Sequence, residues 1–268
     1  MEAYEKHNQC SGFTLIELSI VLVIIGLIVG GVLAGQNLIA AAQVRATVSQ
    51  VEKYNTAVNT FKGKYGNLPG DLTQKDVTAF GFTGAPTRQG GQGWGDGNGI
   101  IEGRTYTQGI YPGIQAGEVI WFWEDLSTNS QLIEGGFSSA ADYNLSFTDP
   151  TPYLPQAKVN STFSVYVYAN NSLNYYGLCT VNSNVAGYMT NTASLTVAQA
   201  YAIDAKIDDG LPTTGKVLAQ YTSGNIVRLP SSAVNSSATT CYTTTGPAYS
   251  VNFKNGANSN CALSFGFQ

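Results

Sequence analysis

One long apolar run near the N-terminus constrains this chain more than any other feature. Residues 13–42 carry a single charged side chain, Glu17, in a segment made mostly of leucine, isoleucine, valine, glycine and alanine. About 20 apolar helical residues, each rising about 1.5 Å, are enough to cross the hydrocarbon core of a bilayer. The run therefore predicts a helix that is buried either in lipid or among other copies of itself.

The residues that follow keep a helical period but carry apolar side chains on one face only. Those positions recur at steps of three and four: Val44, Val48, Val51, Tyr54, Val58, Phe61 and Tyr65. Gly66 and Pro69 supply the signals that end a helix. The sequence thus predicts one helix with an apolar half, residues 13–42, and an amphipathic half, residues 43–65, that packs against a sheet.

Residues 66–268 predict the antiparallel-sheet head of an α+β protein. Segments rich in β-forming residues lie at 164–168, 175–181, 216–221, 225–229 and 248–253. The first two of these segments are expected to pair across a turn at residues 170–172, because strict alternation bounded by turn residues is typical of a hairpin.

Two further helices are predicted within the head. Residues 118–126 could form a strand or a helix, and the spacing of Val119, Phe122, Leu126 and Ile133 favours a helix that ends at Gly135–Gly136. Trp121 and Trp123 are expected to be core anchors rather than a platform for a ligand. A second helix begins after Thr196, which is followed three residues later by a glutamine as in a capping box, and ends at Gly210.

The composition excludes several classes of function. Only 11% of the residues are charged and the net charge is −4, whereas nucleic-acid binding needs a basic face. The single histidine is His7. The sequence has no Cys/His metal cluster, no Walker-type phosphate loop and no dinucleotide-binding fingerprint. Neither an enzyme nor a nucleic-acid-binding protein is expected.

The start of the apolar run has a specific spelling. Residues 12–17 read GFTLIE and are followed by LSIVLVIIG, which resembles the processing site of type IV prepilins and type II secretion pseudopilins. The resemblance implies that prepilin peptidase removes a leader, residues 1–12, between Gly12 and Phe13 and methylates the new amine. Leaders of this family are usually basic, whereas this one has two glutamates and one lysine, so its orientation in the membrane follows from the resemblance rather than from charge.

Glu17 is the residue that most needs an explanation, because a carboxylate inside a membrane is costly unless it is paired or neutral. The resemblance implies that it meets the free amine of a neighbouring subunit during filament assembly. The alternative is a glutamate that extends to the edge of the membrane. Gly26, Gly30, Gly31 and Gly35 also leave two interpretations open, a helix-packing face or a segment that unwinds on leaving the lipid.

A glycine-rich loop carries a candidate cation site. Asp96, Asn98 and Glu102, with the Ile100 carbonyl between them, are oxygen ligands of the kind that Ca²⁺ prefers. Some pseudopilins use a calcium loop, although the full EF-hand pattern fails here because position 107 is a threonine. The alternative is a turn whose glycines supply positive φ angles and which binds no ion.

Three cysteines remain once the leader is removed, and three single bridges are possible. Since many pilins close a C-terminal loop with a disulfide, the resemblance implies a Cys241–Cys261 bond, which leaves Cys179 as a buried thiol. A Cys179–Cys241 bond is the rival pairing.

An acidic string at residues 203–212, IDAKIDDGLP, resembles one found in the heads of prepilin-type proteins. Asp204 and Asp208 lie one helical turn apart. They are expected to serve as a helix cap and in ion pairs between segments; the alternative is a pair of catalytic carboxylates in a membrane-tethered hydrolase.

These observations predict a pilin or pseudopilin that anchors in the inner membrane by one helix and then polymerises into a periplasmic or extracellular filament. The partners implied are prepilin peptidase, an assembly platform with its ATPase, other copies and other pilins. A length of 268 residues suggests a large pilin or a minor subunit. The competing interpretation is an adhesin or cargo-binding module at the filament tip.

Overall fold

The fold is described from a computed structural model of the chain. The residues described are 14–82, 88, 93–103, 116–139, 146–229, 232–233, 240–243, 246–252 and 256–267. The chain divides into two compact units, Met1–Ala42 and Gln43–Gln268. The leader, with Gly12 and Phe13, lies outside the described residues, so its boundary stays a prediction.

The long N-terminal helix is confirmed. Helix α1 spans Leu15–Tyr65 and ends at the residue before Gly66, whose φ of 90° suits glycine. In its amphipathic half the buried residues follow the predicted stripe, with Val48 only partly buried. They are Val44, Thr47, Gln50, Val51, Tyr54, Ala57, Val58, Phe61 and Tyr65. This half of the helix therefore forms one side of the head's hydrophobic core.

The head is built from short helices and strands. The helices are α2 (Gln74–Ala79), α3 (Glu118–Glu124), which continues into a π-helical segment (Asp125–Asn129), and α4 (Val197–Ile207). The strands are β1 (Gln156–Ala157), β2 (Asn160–Asn170), β3 (Leu173–Val185), β4 (Tyr188–Thr192), β5 (Leu195–Thr196), β6 (Val217–Leu218), β7 (Tyr221–Ser223), β8 (Ile226–Arg228), β9 (Ser232–Ala233), β10 (Tyr242–Thr243), β11 (Ser259–Cys261) and β12 (Leu263–Gly266).

The main sheet is antiparallel, with strand order β1-β2-β3-β12-β6, and β4 also pairs with β3. Its centre is the predicted hairpin, in which β2 and β3 pair from Asn170 opposite Leu173 outwards. Asn171 and Ser172 make the two-residue turn with φ angles of 50° and 61°, as hairpins with matching strand twist require. The pilin-like α+β fold predicted from the sequence is therefore present.

Side chains close both outer edges of this sheet. At the β1 edge, Gln50 of α1 donates from Nε2 to the Gln156 carbonyl at 2.8 Å and accepts from Lys158 N at 3.0 Å. At the β6 edge, Asp208 accepts from the backbone amides of Lys216 and Val217. An open edge is a template for pairing with another chain, and these side chains take up part of the hydrogen-bonding capacity at the β1 and β6 edges.

Three details of the head differ from the sequence-based prediction. Helix α2, capped by Thr73 and Asp76, was not predicted. The helix expected to end at Gly135–Gly136 instead ends at Asn129, after a last turn that is π-helical. The described part of residues 248–253 makes only a bridge from Tyr249 to β10.

Local bonding explains the missing strand. Ser250 N donates to the Cys241 carbonyl at 3.0 Å, and Thr243 N donates to the Ala248 carbonyl at 2.9 Å. The segment is therefore bonded to residues 241–243 instead of extending along the main sheet.

Candidate functional site

The first turn of α1 places the only acid of the apolar segment at the start of the helix. Thr14 precedes the helix, and both its backbone N and its Oγ1 donate to Glu17 Oε2 at 2.8 Å. Glu17 N donates back to Thr14 Oγ1 at 3.3 Å. This reciprocal pair is a capping box, which satisfies backbone amides that the first turn of a helix leaves without partners.

The apolar half of α1 is not covered by any other part of the described chain. None of its most apolar stretch is buried, and its length and composition are sufficient to span a membrane. The exposed large side chains begin with Leu15, which is 88% exposed, and continue to Ile39, which is 61% exposed. A soluble protein rarely leaves an apolar surface of this extent in water, so this segment needs lipid or protein around it.

The four glycines of the apolar half do not interrupt the helix. Helix α1 is continuous through Gly26, Gly30, Gly31 and Gly35, and a Cβ added at any of them would meet no atom within 4 Å. Space for close approach by another helix is therefore open at all four positions, and unwinding is absent from the described helix. The choice between packing and unwinding during assembly stays a prediction.

The glycine-rich loop gathers carboxylates that are far apart in sequence. Single oxygens of Asp71, Asp96 and Glu118 lie within 4.8 Å of one another. Asp71 accepts from the amides of Gly97 and Gly99, each at 2.7 Å. Glu118 accepts from the amides of the loop at 2.8 and 2.9 Å. The loop therefore wraps its backbone amides around two buried acids.

Burial and mutual repulsion shift the pKa values of these acids. Burial raises the pKa of Asp71 to about 6; the Gly99 and Gly97 amides lower it, while the charges of Asp96 and Glu102 raise it. Burial, aided by the charge of Asp71, raises the pKa of Glu118 well above its usual range. Both shifts favour the protonated forms of these two acids.

The predicted calcium ligands are only partly brought together. Asp96 lies in the carboxylate cluster with Asp71 and Glu118, and the side chain of Asn98 contacts it, with Nδ2 donating to Asp96 Oδ2 at 3.1 Å. Asp96 accepts from Asn98 N at 3.0 Å, and Asn98 Oδ1 accepts from Ile100 N at 2.7 Å. The amide of Glu102 donates to Glu118. These local bonds support the turn interpretation, and calcium binding stays a prediction.

The positive-φ requirement of this turn is clear. Gly93, Gly95, Gly97 and Gly99 have φ angles between 73° and 83°, a region that side-chain-bearing residues seldom adopt. At Gly95 an added Cβ would also collide with the Leu72 carbonyl. Glycine at this position therefore allows the loop to lie directly against the segment after α1.

The acidic string at the end of α4 serves the fold. Asp204 accepts from the Tyr249 hydroxyl at 2.8 Å and from Gly210 N at 3.1 Å. Asp209 accepts from Leu211 N at 2.8 Å, while Asp208 closes the sheet edge. Burial raises the pKa of Asp204 to about 6, although the Tyr249 and Gly210 bonds lower it. These contacts support the interpretation as caps and links between segments, made through hydrogen bonds instead of the expected ion pairs.

The C-terminal cysteines are joined as the resemblance implies. Cys241 and Cys261 form a disulfide with a Cα–Cα distance of 5.1 Å, and Cys179 is a buried free thiol. Burial raises the pKa of the Cys179 thiol to about 12, which keeps it in the unreactive protonated form. The bond therefore closes a loop that also carries Tyr249, the partner of Asp204.

The fold and its exposed helix define a class of protein. A long apolar N-terminal helix that leads into an antiparallel-sheet head is a pilin-like architecture. Residues 7–33 match the model of the prokaryotic N-terminal methylation motif, the signature of type IV prepilins and pseudopilins. No curated protein and no solved structure matches the chain.

The motif supports a type IV pilin- or pseudopilin-like subunit, and the family that the motif marks is structural rather than enzymatic. The motif implies processing by prepilin peptidase and assembly with other pilins, and together with the apolar helix it supports anchoring in a membrane.

Sequence reasoning missed two groups of residues around these sites. The contact between Thr14 and Glu17 could have been predicted, because a threonine three residues before a glutamate at the start of an apolar helix is the capping-box pattern. Asp71 and Glu118 carried no such signal, since their proximity depends on a loop that joins distant parts of the chain.

Proposed function

We propose that this protein is a structural subunit, a large or minor pilin or pseudopilin, of a type IV pilus or a type II secretion pseudopilus. The observation that carries the proposal is the apolar half of α1, which no other described part of the chain covers. Such a helix is stable in lipid or in the centre of a helical bundle, and a filament subunit uses both environments in turn.

The path to the filament begins with processing. Prepilin peptidase cuts between Gly12 and Phe13, and the subunit then waits in the inner membrane as a single-pass protein. The head, which is tied to the amphipathic half of α1, lies on the periplasmic side. Polymerisation moves the subunit from the bilayer into a periplasmic or extracellular filament.

Glu17 gives this polymerisation its specificity. As the only charge in residues 13–42, it stabilises the subunit in the filament when it pairs with the amine at Phe13 of a neighbouring copy. An unpaired carboxylate in an apolar core is costly, so a subunit that is out of register is disfavoured. The position of each subunit along the filament is therefore set by the neutralisation of the Glu17 charge.

Leaving the membrane requires external work. Apolar surface exposed to water costs roughly 25 cal/mol per Å², and a helix of this length would aggregate if it crossed water alone. An assembly platform driven by an ATPase therefore transfers the helix directly from lipid to neighbouring helices.

Two substitutions test the proposal in cells that assemble the filament. Glu17→Ala should leave the subunit processed and in the membrane but absent from sheared filaments. Glu52→Ala is the matched control, because it removes an exposed glutamate from the same helix outside the apolar segment. The intact mass of the purified subunit should equal that of a chain that begins at Phe13. Full-length protein in mature material, or normal assembly of Glu17→Ala, would overturn the proposal.

Immunogold labelling of isolated filaments distinguishes the kinds of subunit. Labels along the whole fibre identify a major structural component. Labels confined to the tips identify a minor subunit and favour the alternative function, recognition of a surface or a secreted cargo by the head. Growth of pili or secretion of a substrate in a deletion strain then separates the pilus from the pseudopilus.

A further inference from the structure

The glycine-rich loop contains an Asn–Gly pair, Asn98–Gly99, in a position that solvent can reach. The Asn98 side chain is exposed. Gly99 has a φ angle of 83°, and a Cβ added to it would meet no atom within 4 Å. A glycine has no side chain to shield its own backbone nitrogen, so the nitrogen of Gly99 can approach the amide group of the preceding asparagine more closely than that of any other residue type.

Three hydrogen bonds hold the atoms that such an approach would involve. Gly99 N donates to Asp71 Oδ2 at 2.7 Å. The side-chain oxygen of Asn98, Oδ1, accepts from Ile100 N at 2.7 Å. The side-chain nitrogen, Nδ2, donates to Asp96 Oδ2 at 3.1 Å. The backbone nitrogen, the amide oxygen and the amide nitrogen therefore each have a fixed partner.

These partners match the roles that acyl transfer at an amide requires. A carboxylate that accepts from Gly99 N is placed to take its proton as a general base. A backbone amide 2.7 Å from Oδ1 is placed to stabilise negative charge on that oxygen, since donors of this kind act at about 2.7–3.1 Å. The bond to Asp96 orients the amide so that its oxygen faces Ile100, and fixed geometry of this type favours an intramolecular reaction.

We propose that Asn98–Gly99 is a self-modification site, at which the folded loop converts Asn98 into an aspartyl or isoaspartyl residue. Gly99 N forms a bond to Cγ of Asn98 as its proton passes to Asp71, and the bond between Cγ and Nδ2 breaks. The departing nitrogen takes up a proton and leaves as ammonia, and a succinimide ring remains. Water then opens the ring. The sum of the steps consumes one water and releases one ammonia, without oxidation or reduction.

The modification changes the charge of the loop. The new carboxylate makes the formal net charge of −4 one unit more negative. It also removes Nδ2, which donates to Asp96 in the unmodified loop. The loop therefore becomes more acidic with time, and older molecules differ in charge from newly made ones.

The test compares the reaction in the folded and the unfolded chain. Detergent-solubilised protein is incubated at neutral pH with and without urea and is then digested. Mass spectrometry follows the mass gain that accompanies replacement of an amide by a carboxyl group. Asn255–Gly256 is a second Asn–Gly pair in the same chain, and in urea it should react at about the same rate as Asn98–Gly99, which provides an internal reference.

Asn98 should react at least about tenfold faster in the folded protein than in urea, a modest share of what a positioned general base can supply. This comparison needs no variant, so it stands even where a substitution disturbs folding. A folded rate equal to or below the rate in urea would show that the hydrogen bonds protect Asn98 instead, and the proposal would be overturned.

A substitution then tests the proton acceptor. Asp71→Asn should lower the rate at Asn98 in the folded protein to about the rate in urea, with tryptophan fluorescence used to verify that the variant is folded. Asp149→Asn is the matched control, because it removes an exposed acid outside the loop, and it should react at the wild-type rate. A folded Asp71→Asn variant that reacts as fast as the wild type would also overturn the proposal.

Discussion

Arg88 and Asp125 form an ion pair in which both side chains are completely buried. Arg88 Nη2 lies 2.8 Å from Oδ1 and 2.9 Å from Oδ2 of Asp125. Arg88 Nη1 also donates to the carbonyls of Gly70 and Leu72 at 3.2 Å, and its guanidinium lies 4.8 Å from the centre of the Trp121 ring. The pair therefore fastens the segment after α1 to the π-helical segment.

Removing one partner of this pair should destabilise the head strongly. Arg88→Met or Asp125→Asn leaves the other charge buried without compensation, which typically costs about 3–5 kcal/mol. The measurement is urea unfolding of the detergent-solubilised protein, followed by the fluorescence of the buried tryptophans. Lys75→Met, at an exposed position of α2, is the control and should change little.

Each single variant leaves one charge buried without a partner, whereas the double variant Arg88→Met/Asp125→Asn leaves none. The double variant should therefore lose less stability than the sum of the losses in the two single variants. Strict additivity would show that the two side chains do not act as a pair.

The Cys241–Cys261 disulfide should stabilise the folded protein. Cys241→Ser/Cys261→Ser should lower the free energy of unfolding by about 3 kcal/mol on the chain-entropy model, measured by the same urea titration. Alkylation of the processed protein under denaturing conditions gives an independent check. One modified cysteine, Cys179, is expected without reductant and three with it. Loss of alkylation at Cys179 in the oxidised protein would support the rival pairing instead.

The stability of the head should decrease as the pH rises from about 4 to 7. A buried carboxyl whose folded-state pKa is raised binds its proton more tightly when folded, so its contribution is full below the unfolded pKa and is lost as the pH rises through the folded pKa. For Asp204, with a folded pKa of about 6, the loss is at most about 2–3 kcal/mol, since one pKa unit equals about 1.4 kcal/mol.

Two variants isolate this effect, with the free energy of unfolding measured at intervals between pH 4 and 7. Asp204→Asn should flatten the decrease with rising pH. Asp209 is the contrasting control, because the Thr214 hydroxyl and the Leu211 amide lower its pKa. Asp209→Asn should remove a contribution that is present throughout this range, because it is lost only as the pH falls below the unfolded pKa, so the slope between pH 4 and 7 should not change. An unchanged pH profile in Asp204→Asn would contradict the assignment.

The calcium site predicted at Asp96, Asn98 and Glu102 can be tested by calorimetry. If the loop binds Ca²⁺, titrating Ca²⁺ into the detergent-solubilised protein releases or absorbs heat that saturates, and Asp96→Asn removes that heat; the turn interpretation predicts no heat. Asp149→Asn, an exposed acid outside the cluster, serves as the control. The absence of heat at millimolar Ca²⁺ would remove this prediction and leave the loop as a glycine turn.

Much of the fold was readable from residues that are neighbours along the chain. The period of α1, the alternation in β2 and the capping box at Thr196 and Gln199 depend on interactions within a few residues, which periodicity and capping rules describe directly. The same holds for Thr14 and Glu17, whose box lies within one helical turn. Local patterns of this kind do not depend on how the rest of the chain folds.

Other local patterns gave the wrong result because tertiary contacts decided the outcome. Residues 248–252 have strand-like composition, yet hydrogen bonds within the disulfide-closed loop hold them out of the sheet. In β3, Gly177 lies opposite Tyr166 across the hairpin, and the Tyr166 ring occupies the space that a side chain at this position would need.

The sequence by itself determined that this protein has an apolar N-terminal helix with one acid near its start, because hydrophobicity and helical period are properties of consecutive residues. Only the tertiary structure decided that Arg88 meets Asp125 and that Asp71 meets Glu118. The members of the first pair lie 37 residues apart, and the loops that join them have no period. Their meeting depends on the burial of whole segments, which no short stretch of sequence encodes.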